Sequence, residues 1–431
     1  MTLRSNFFIL ILCLFITIQS PCTAQSFVQR KDTYLTLNGQ PYYYVGSNYW
    51  YGLFTILQGK KDANARVCKE LDFLQSQGVT NLRMLASTEG IGQENGVVRV
   101  SPALQPQKDI YNEDFLKGLD FVLAEMAKRN MKAVLYLSNN WEWSGGFLQY
   151  LHWNGKISDA ELKKKMNWDE QRDYTSQFYS CSECVKGYLK QVKYIVTHKN
   201  TINGLLYKND PTIMSWEIAN EPRPMRPAAN NAYYDFIQKT ASYIKRLDKN
   251  HLLTTGHEGE QAMDGDMTFF KKVHAIKEID YLTIHIWPKN WGWFKDESFA
   301  ADFPQVLSKT EAYIQEHFVA ANELQKPMVI EEFGLPRDGF KFDTASTTNY
   351  RDQYYRKILQ LWQTSKISNH ALAGVNFWAF GGTARPIKGQ IFWKESDDYS
   401  GDPPMEEQGL NSVFDSDSST WQLIRNFSLS K

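Results

Sequence analysis

Short apolar runs that read as strands alternate along the chain with longer stretches that carry helical spacing. The apolar runs lie at 42–51, 80–85, 132–140, 212–221, 251–259, 280–288, 327–334 and 371–382. Apolar residues recur with a helical period in 62–77, 113–129, 177–198, 231–247, 304–325 and 349–365. Eight strands that alternate with helices are typical of a parallel sheet, and eight such units close naturally into a (β/α)8 TIM barrel.

The length of the chain is compatible with one large domain. A (β/α)8 barrel needs roughly 250 residues, and the surplus falls in long connections at 141–175, 259–279, 288–303 and 380–420. No proline- or serine-rich linker and no internal repeat divides 25–431, so we predict a single domain. A doubly wound open sheet is the alternative fold, but no glycine-rich phosphate fingerprint follows the first strand.

Residues 1–24 have the pattern of a secretory signal peptide. Arg4 precedes an apolar run over 7–18, and small residues lead to Ala24. The run is shorter than the roughly 20 residues of a membrane-spanning helix, which disfavours a retained anchor. A lipid anchor at Cys22 is a further alternative, but Pro21 stands where a small residue would be needed. We expect cleavage after Ala24, an extracellular location and no membrane contact afterwards.

Composition and charge narrow the class of partner. The chain has 48 Lys and Arg against 48 Asp and Glu, so its zero net charge gives no reason to expect nucleic acid or anionic lipid as partners. The 13 tryptophans and 23 tyrosines supply side chains for the hydrophobic core, and some of them can also form flat surfaces on which ligands stack. We expect a monomer.

Three cysteines remain after the predicted cleavage. Cys181 and Cys184 are the nearest pair, and in an exported protein they form one disulfide or stay, with Cys68, as free thiols. No second CxxC motif or histidine pair accompanies them, which disfavours structural zinc.

Polar and aromatic residues end every predicted strand. In a barrel of this kind the active site lies at the carboxyl ends of the strands, so we expect these side chains to converge on one rim. In strand order the candidates are Trp50, Arg83, Asn140 with Trp141, Asn220 with Glu221, Glu258, His285 with Trp287, Glu331 with Glu332, and Trp378.

Paired carboxyl groups among these candidates suit glycoside hydrolysis. One carboxylic acid donates a proton to the leaving oxygen while a carboxylate attacks the sugar carbon. An arginine lowers the pKa of a neighbouring carboxylate, and indoles offer platforms for sugar faces. Single strand-end glutamates are more often ion-pair partners, and His285 alone reads as a structural histidine. The scattered histidines lack metal-binding motifs, so we expect no metal or cofactor, and no GxSxG motif supports an esterase.

Two motifs give a specific resemblance. WEIANEP at 216–222 and VIEEFG at 329–334 resemble the acid/base and nucleophile motifs of glycoside hydrolase family 5, a family of retaining barrel enzymes. The resemblance covers the whole mature chain. It implies Glu221 as acid/base and Glu332 as nucleophile. It also implies supporting roles for Arg83, Asn220, His285 and Trp378.

Within that family the chain resembles the endo-β-1,4-mannanase branch. GSNYWY at 46–51, LSNNWEWSGG at 137–146 and GHEG at 256–259 carry this likeness. It implies hydrolysis of β-mannan polysaccharide and mannooligosaccharides. The further substrate-binding candidates are Trp287, Asn140, Trp141, Trp50 and Glu258. A related β-1,4-glucanase, an exo-β-mannosidase whose groove a long loop blocks, and a carbohydrate-binding barrel without turnover remain open.

Two details are left for the structure to decide. Many relatives carry a tyrosine on strand six that hydrogen-bonds the nucleophile, and Trp287 stands at that position here. Because side chains alternate along a strand, Glu331 is expected to point between the sheet and the helices while Glu332 enters the site. Glu217, four residues before Glu221, is expected to face away from the site.

Overall fold

The computed structural model describes residues 26–430. Eight parallel strands form its central sheet, in the spatial order β5-β4-β3-β2-β1-β8-β7-β6. Their bounds are β1 Tyr44–Asn48, β2 Asn81–Leu85, β3 Lys132–Tyr136, β4 Ile213–Glu217, β5 Leu252–Thr254, β6 Leu282–Ile286, β7 Met328–Phe333 and β8 Leu372–Phe377. The predicted barrel is confirmed. The signal peptide prediction falls on residues outside the described range.

The sheet closes where β5 and β6 meet. These two strands share no regular ladder, but Asp280 N–H donates to the Leu253 carbonyl over 2.7 Å and His285 N–H donates to the Glu258 carbonyl over 3.0 Å. The Thr254 hydroxyl adds a bond to the Tyr281 carbonyl. The eight strand ends therefore surround one space.

Eight helices cover the barrel, one after each strand. Their bounds are α1 Ala63–Ser76, α2 Glu113–Lys128, α3 Ser182–Val196, α4 Asn230–Leu247, α5 Met267–His274, α6 Phe299–Leu324, α7 Asn349–Ser368 and α8 Ser418–Ser428. Helix α2 begins where the Asn112 side chain accepts from the Asp114 N–H, as expected of an N-cap. Within residues 26–430 no helix is long and apolar enough to cross a bilayer.

Apolar side chains fill the barrel below the site. Tyr44, Val134, Met214, Val329 and Ala373 from the strands are buried in one cluster. Val28 and Leu35 join it from the amino-terminal segment, whose antiparallel strands Gln29–Lys31, Tyr34–Leu37 and Gln40–Pro41 cover this end. The predicted site residues lie at the opposite end of the barrel, at the carboxyl ends of the strands.

Two long connections build walls above those strand ends. The connection after β3 contains Phe147–Trp153, Asp159–Lys163 and Trp168–Thr175, and a disulfide between Cys181 and Cys184 lies at the start of α3. Cys68 is free. After β8, Phe380–Gly382 pairs with Val413–Phe414. Asp402 holds that second connection by accepting from the Gly409 and Asn411 N–H groups.

Candidate active site

Arg83 organises the floor of the site. It is completely buried at the middle of β2, and its guanidinium lies 4.7 Å from the centre of the Tyr136 ring. It makes two bonds to Glu217, at 2.8 and 2.9 Å, and donates to Asn220 Oδ1 over 2.7 Å. A further bond of 2.5 Å reaches Glu332 Oε1. One fixed fork of donors therefore positions the candidate nucleophile and the asparagine beside the candidate acid/base.

The sequence predicted that Glu217 faces away from the site, and this prediction is wrong. Glu217 lies in the barrel interior directly against Arg83, with no exposed surface. Its charge is compensated by the two-bond pair, which is the strong geometry for arginine and carboxylate. Glu217 therefore supports the site through the position of Arg83.

The expected alternation of Glu331 and Glu332 is also wrong. The β6–β7 pairing shifts register, so that Ile284 pairs with Ile330 but His285 pairs with Glu332. Glu331 is the extra residue of this bulge, which breaks the strict alternation of faces. Its carboxyl group accepts from Tyr281 Oη over 3.2 Å and lies 3.8 Å from Arg83 Nε. Both glutamates therefore belong to the barrel interior, with Glu332 reaching the cavity.

Glu221 follows β4 in a left-handed backbone conformation, with φ +49°. Such a conformation is uncommon for a residue with a side chain and is found most often at functional sites. Its carboxyl oxygens are held from two sides: the Trp141 indole N–H donates to Oε2, and His285 Nδ1 lies 2.6 Å from Oε1. The structure therefore brings Trp141 and His285 to the expected acid/base.

The two catalytic candidates lie close together. One carboxyl oxygen of Glu221, one of Glu332 and a ring nitrogen of His285 all lie within 4.8 Å of one another. Burial raises the pKa of both carboxyl groups above the ordinary 4.5, and their mutual repulsion raises that of Glu332 further. A proton is therefore retained by this pair more readily than by free glutamates.

The position of that proton follows from the donors. Arg83 donates directly to Glu332 and opposes the rise of its pKa, whereas Glu221 is bonded by the neutral Trp141 indole. Arg223, which is bonded to Glu258, opposes the rise of the Glu221 pKa from a distance. Burial, with Arg83 nearby, lowers the pKa of His285 well below 6.5, so the imidazole is neutral near pH 7. Burial raises the pKa of Glu332 more strongly than that of Glu221, so the assignment of the proton to Glu221 and of the charge to Glu332 rests on the direct bond from Arg83 to Glu332.

Trp287 takes over the contact expected of the missing strand-six tyrosine. Its indole N–H donates to Glu332 Oε2 over 3.1 Å. An indole N–H is a donor only, and it does not ionise in the physiological range. Its ring also meets that of Trp378 edge to face, with centroids 5.9 Å apart.

The carboxyl pair opens into a cavity of about 520 Å³. Most of the predicted site residues line it: Trp141, Asn220, Glu221, Glu258, Trp287, Glu332 and Trp378. Arg83 and His285 lie beneath the lining. Glu258 is paired with Arg223 through bonds of 2.5 and 2.6 Å, and burial raises its pKa to about 7.

Besides Arg83 and His285, two further predicted residues, Trp50 and Asn140, do not line this cavity. Trp50 is completely buried, donates to the Gly401 carbonyl over 2.8 Å and packs against Trp143, so it offers no sugar platform. Asn140 is buried behind the wall; its backbone N–H donates to the Asn220 carbonyl over 3.0 Å. Both residues follow a strand, as the cavity-lining residues do, so their positions in the sequence did not show that they are buried away from the cavity.

The sequence analysis missed the residues that the long connections contribute. They are Trp143, Trp168, Arg223, Gln261, Asn290, Trp291, Pro403, Met405 and Glu406. Arg223 had a signal, because it directly follows the NEP motif. The others lie on loops whose folded path has no periodic pattern to predict it.

Glu221, His285 and Glu332 are also the one group of three possible metal ligands among residues 26–430. Their donor atoms are already bonded to one another, to Trp287 and to Arg83. The guanidinium at 2.5 Å from Glu332 opposes a second cation there. The set fits a pair of carboxyl groups that act as acid/base and nucleophile better than it fits metal binding.

Comparisons with known proteins agree with this geometry. Residues 25–430 match a family model described as GH family 5 beta-mannosidase-like. The chain is 30% identical over 369 residues to mannan endo-1,4-beta-mannosidase 1 of Arabidopsis thaliana, with 82% of this chain and 81% of that protein covered. A glycoside hydrolase family 5 mannosidase from Rhizomucor miehei has a TM-score of 0.82 at 32% identity, with coverage of 94% and 97%. An endo-1,4-beta-mannanase from the same organism shares the fold, with a TM-score of 0.67 at 23% identity and coverage of 94% and 98%.

The family resemblance of the two motifs is thereby confirmed over nearly the whole described chain. The two glutamates stand at the ends of β4 and β7, on the barrel that these relatives share. The chain belongs to glycoside hydrolase family 5, in its β-mannosidase-like group, and is a glycoside hydrolase.

Proposed function

We propose that the protein hydrolyses β-1,4-mannosidic bonds with retention of anomeric configuration. The observation that carries the mechanism is the approach of Glu221 and Glu332 oxygens to within 4.8 Å. Retaining glycosidases hold their two carboxyl groups about 5–5.5 Å apart, whereas inverting enzymes need about 6.5–9.5 Å to admit a water. The short separation leaves no room for that water.

The mechanism assigns one step to each glutamate. Glu332, ionised beside Arg83, attacks the anomeric carbon while Glu221 donates its proton to the leaving oxygen. Glu221, now ionised, takes a proton from water, and that water releases the sugar from Glu332. Trp141 and His285 hold the Glu221 carboxyl group in place during both steps.

The raised pKa of Glu221 predicts a specific pH dependence. The first step needs Glu221 protonated, so kcat/KM falls as pH rises through its pKa, and burial moves this fall above pH 4.5. We expect the fall for a 4-nitrophenyl β-mannoside. It should shrink for a 2,4-dinitrophenyl β-mannoside, whose leaving group needs little protonation. Equal alkaline limbs for both substrates would contradict the assignment of Glu221.

Trp287 is expected to stabilise the charge of Glu332 through its indole N–H. A Trp287→Phe variant keeps an aromatic ring but loses the donor. Because a hydrogen bond to a charged group contributes about 1.5–3 kcal/mol, kcat/KM should fall by about 10- to 100-fold. Trp287→Tyr restores a donor and is the matched control, with a smaller loss expected. Equal losses in the two variants would mean that ring packing, not the hydrogen bond, explains the effect.

Endo-acting hydrolysis of mannan, glucomannan or galactomannan is our first choice of activity. The curated relative from Arabidopsis is named for this activity. Tryptophans in the cavity wall, among them Trp141, Trp287 and Trp378, suit the apolar faces of successive sugars. We also propose that the protein is secreted, on the strength of the signal-like segment at 1–24, and that it acts as a monomer.

Exo-acting hydrolysis of mannooligosaccharides is a second candidate activity, and the long connections around the cavity support it. The two longest connections both reach the cavity: Trp168 comes from the one after β3, and Met405 and Glu406 come from the one after β8. Burial raises the pKa of Glu406 well above 4.5, and its Oε2 has no hydrogen-bond partner among the described residues. A wall at one end of the groove, with a polar group free to bind a terminal sugar, suits release of single mannose units.

Product analysis separates these activities. Purified protein is incubated with linear mannan, galactomannan, cellulose and mannobiose, beside a Glu332→Ala control. Mixed short mannooligosaccharides from the polymers support endo action, and mannose alone supports exo action. Cleavage of cellulose alone would instead assign a glucanase. No product from any substrate would favour a carbohydrate-binding barrel without turnover.

A further inference from the structure

We propose that Trp168 is a sugar platform on the leaving-group side of the site, where it binds the second sugar beyond the cleaved bond. This inference rests on the proposed function and deepens it, because it names the residue that sets the preference for longer leaving groups. Its basis is the position, exposure and support of one indole on the connection after β3.

Trp168 is more open to solvent than the tryptophans nearer the carboxyl pair. It is 45% exposed at the cavity wall, whereas Trp287 and Trp378 are 8% and 3% exposed. Covering exposed apolar ring surface is favourable, and an indole in a ligand cavity is well suited to the apolar face of a sugar. The open area is therefore available to a ligand that the cavity receives.

The side chain is held in place before any ligand arrives. Trp168 is the first residue of the helix Trp168–Thr175, and Asn167 and Glu170 cap that helix through a reciprocal pair of bonds. The guanidinium groups of Arg223 and Arg172 lie 5.8 and 5.9 Å from the centre of its ring. A side chain already ordered in this way loses little freedom when it binds.

The neighbours of Trp168 identify the side of the cleaved bond on which it lies. Its ring centre is 6.2 Å from that of Trp141, with 31° between the planes. Trp141 donates to Glu221, and Arg223, two residues after Glu221, lies over the rings of both tryptophans. Glu332 is instead contacted by Arg83, Trp287 and His285. Trp168 thus belongs to the acid/base side, which faces the leaving group.

The order of the two indoles gives the sugar position. Trp141 touches the acid/base directly and lies against the first sugar of the leaving group. Trp168 lies one ring farther from Glu221 and is more exposed, so it meets the second sugar. Stacking makes no hydrogen bond to a particular hydroxyl, so this platform selects for length and tolerates variation in the sugar.

The test compares substrates with and without sugars in the leaving group. We expect Trp168→Ala to lower kcat/KM for mannotetraose by about 10-fold, the size of a lost aromatic contact of roughly 1.4 kcal/mol. The same variant should change kcat/KM for a 4-nitrophenyl β-mannoside by less than about twofold. Trp168→Phe should keep most of the mannotetraose activity, because it keeps an aromatic ring.

Trp153→Ala is the matched control. Trp153 is a partly exposed tryptophan of the same connection after β3, packs against Tyr150 and does not line the cavity. It should alter neither substrate. If Trp168→Ala left the ratio of kcat/KM for mannotetraose to kcat/KM for the 4-nitrophenyl β-mannoside unchanged, the role of Trp168 would be overturned. The proposed function would stand. A parent protein that hydrolyses neither substrate would instead overturn the proposed function.

Discussion

Replacing Glu332 by alanine is expected to reduce hydrolysis of mannooligosaccharides by about 10⁴-fold or more. The variant loses the group that attacks the sugar, so the covalent intermediate cannot form. The remaining carboxyl group, Glu221, still donates a proton but does not replace the nucleophile. Adding azide to the variant, with a 2,4-dinitrophenyl β-mannoside as substrate, should restore turnover and yield an α-mannosyl azide. The small anion enters the space that the side chain leaves, on the face opposite the leaving group.

Glu331→Gln is the matched control for this prediction, because it changes the neighbouring glutamate of the same strand. Glu331 lies inside the barrel against Tyr281 and Arg83, and burial raises its pKa well above 4.5, which favours its uncharged form. An uncharged amide of the same shape should therefore preserve activity within about tenfold. If Glu331→Gln lost activity as completely as Glu332→Ala, and azide restored a Glu331→Ala variant but not Glu332→Ala, the two roles would have to be exchanged.

Replacing Arg83 by methionine is expected to lower both stability and activity. The guanidinium pairs with Glu217 and donates to Glu332 and Asn220 in a fully buried position. Removing one partner of a buried ion pair costs about 3–5 kcal/mol, because it leaves an uncompensated charge. Loss of the charged donor at Glu332 should also reduce kcat/KM by about 100-fold. Denaturant unfolding and steady-state kinetics measure the two effects.

Arg66→Met separates the loss of an arginine paired with a buried glutamate from the loss of the site. Arg66 donates to the buried Glu70 over 2.9 Å, next to the ring of Tyr51 and away from the carboxyl pair. This variant should lose stability while its kcat/KM stays close to that of the parent. If Arg83→Met were destabilised to the same extent but kept its kcat/KM, Arg83 would be a structural residue without influence on the nucleophile.

The fold was largely predictable because its strands are buried on both faces. Each apolar run contains a barrel strand, although the runs extend beyond it, as at 371–382 against Leu372–Phe377. Two of the eight barrel helices were missed, as were the short helices within the long connections. Met267–His274 is too short to develop a clear period, and its main signal is the Asp266 cap at the Phe269 N–H. Ser418–Ser428 lies after a connection that was assigned as loop to residue 420.

The site was predictable where a motif fixes a side chain to a strand end. Arg83, Glu221, His285 and Glu332 converge as expected of the barrel. The inward turn of Glu331 was not predictable, because a bulge depends on the pairing of two strands and not on the sequence of one. Trp168 and Glu406 were equally hidden, since the path of each long connection is set by tertiary contacts.

The most direct test of the central claim is the configuration of the first product. Proton NMR follows the anomeric signal of the sugar newly released from mannotetraose, before mutarotation mixes the two forms. Two successive displacements, by Glu332 and then by water, predict that the β anomer appears first and the α anomer accumulates later. Initial release of the α anomer would mean a single displacement, and it would contradict the roles assigned to Glu332 and Glu221.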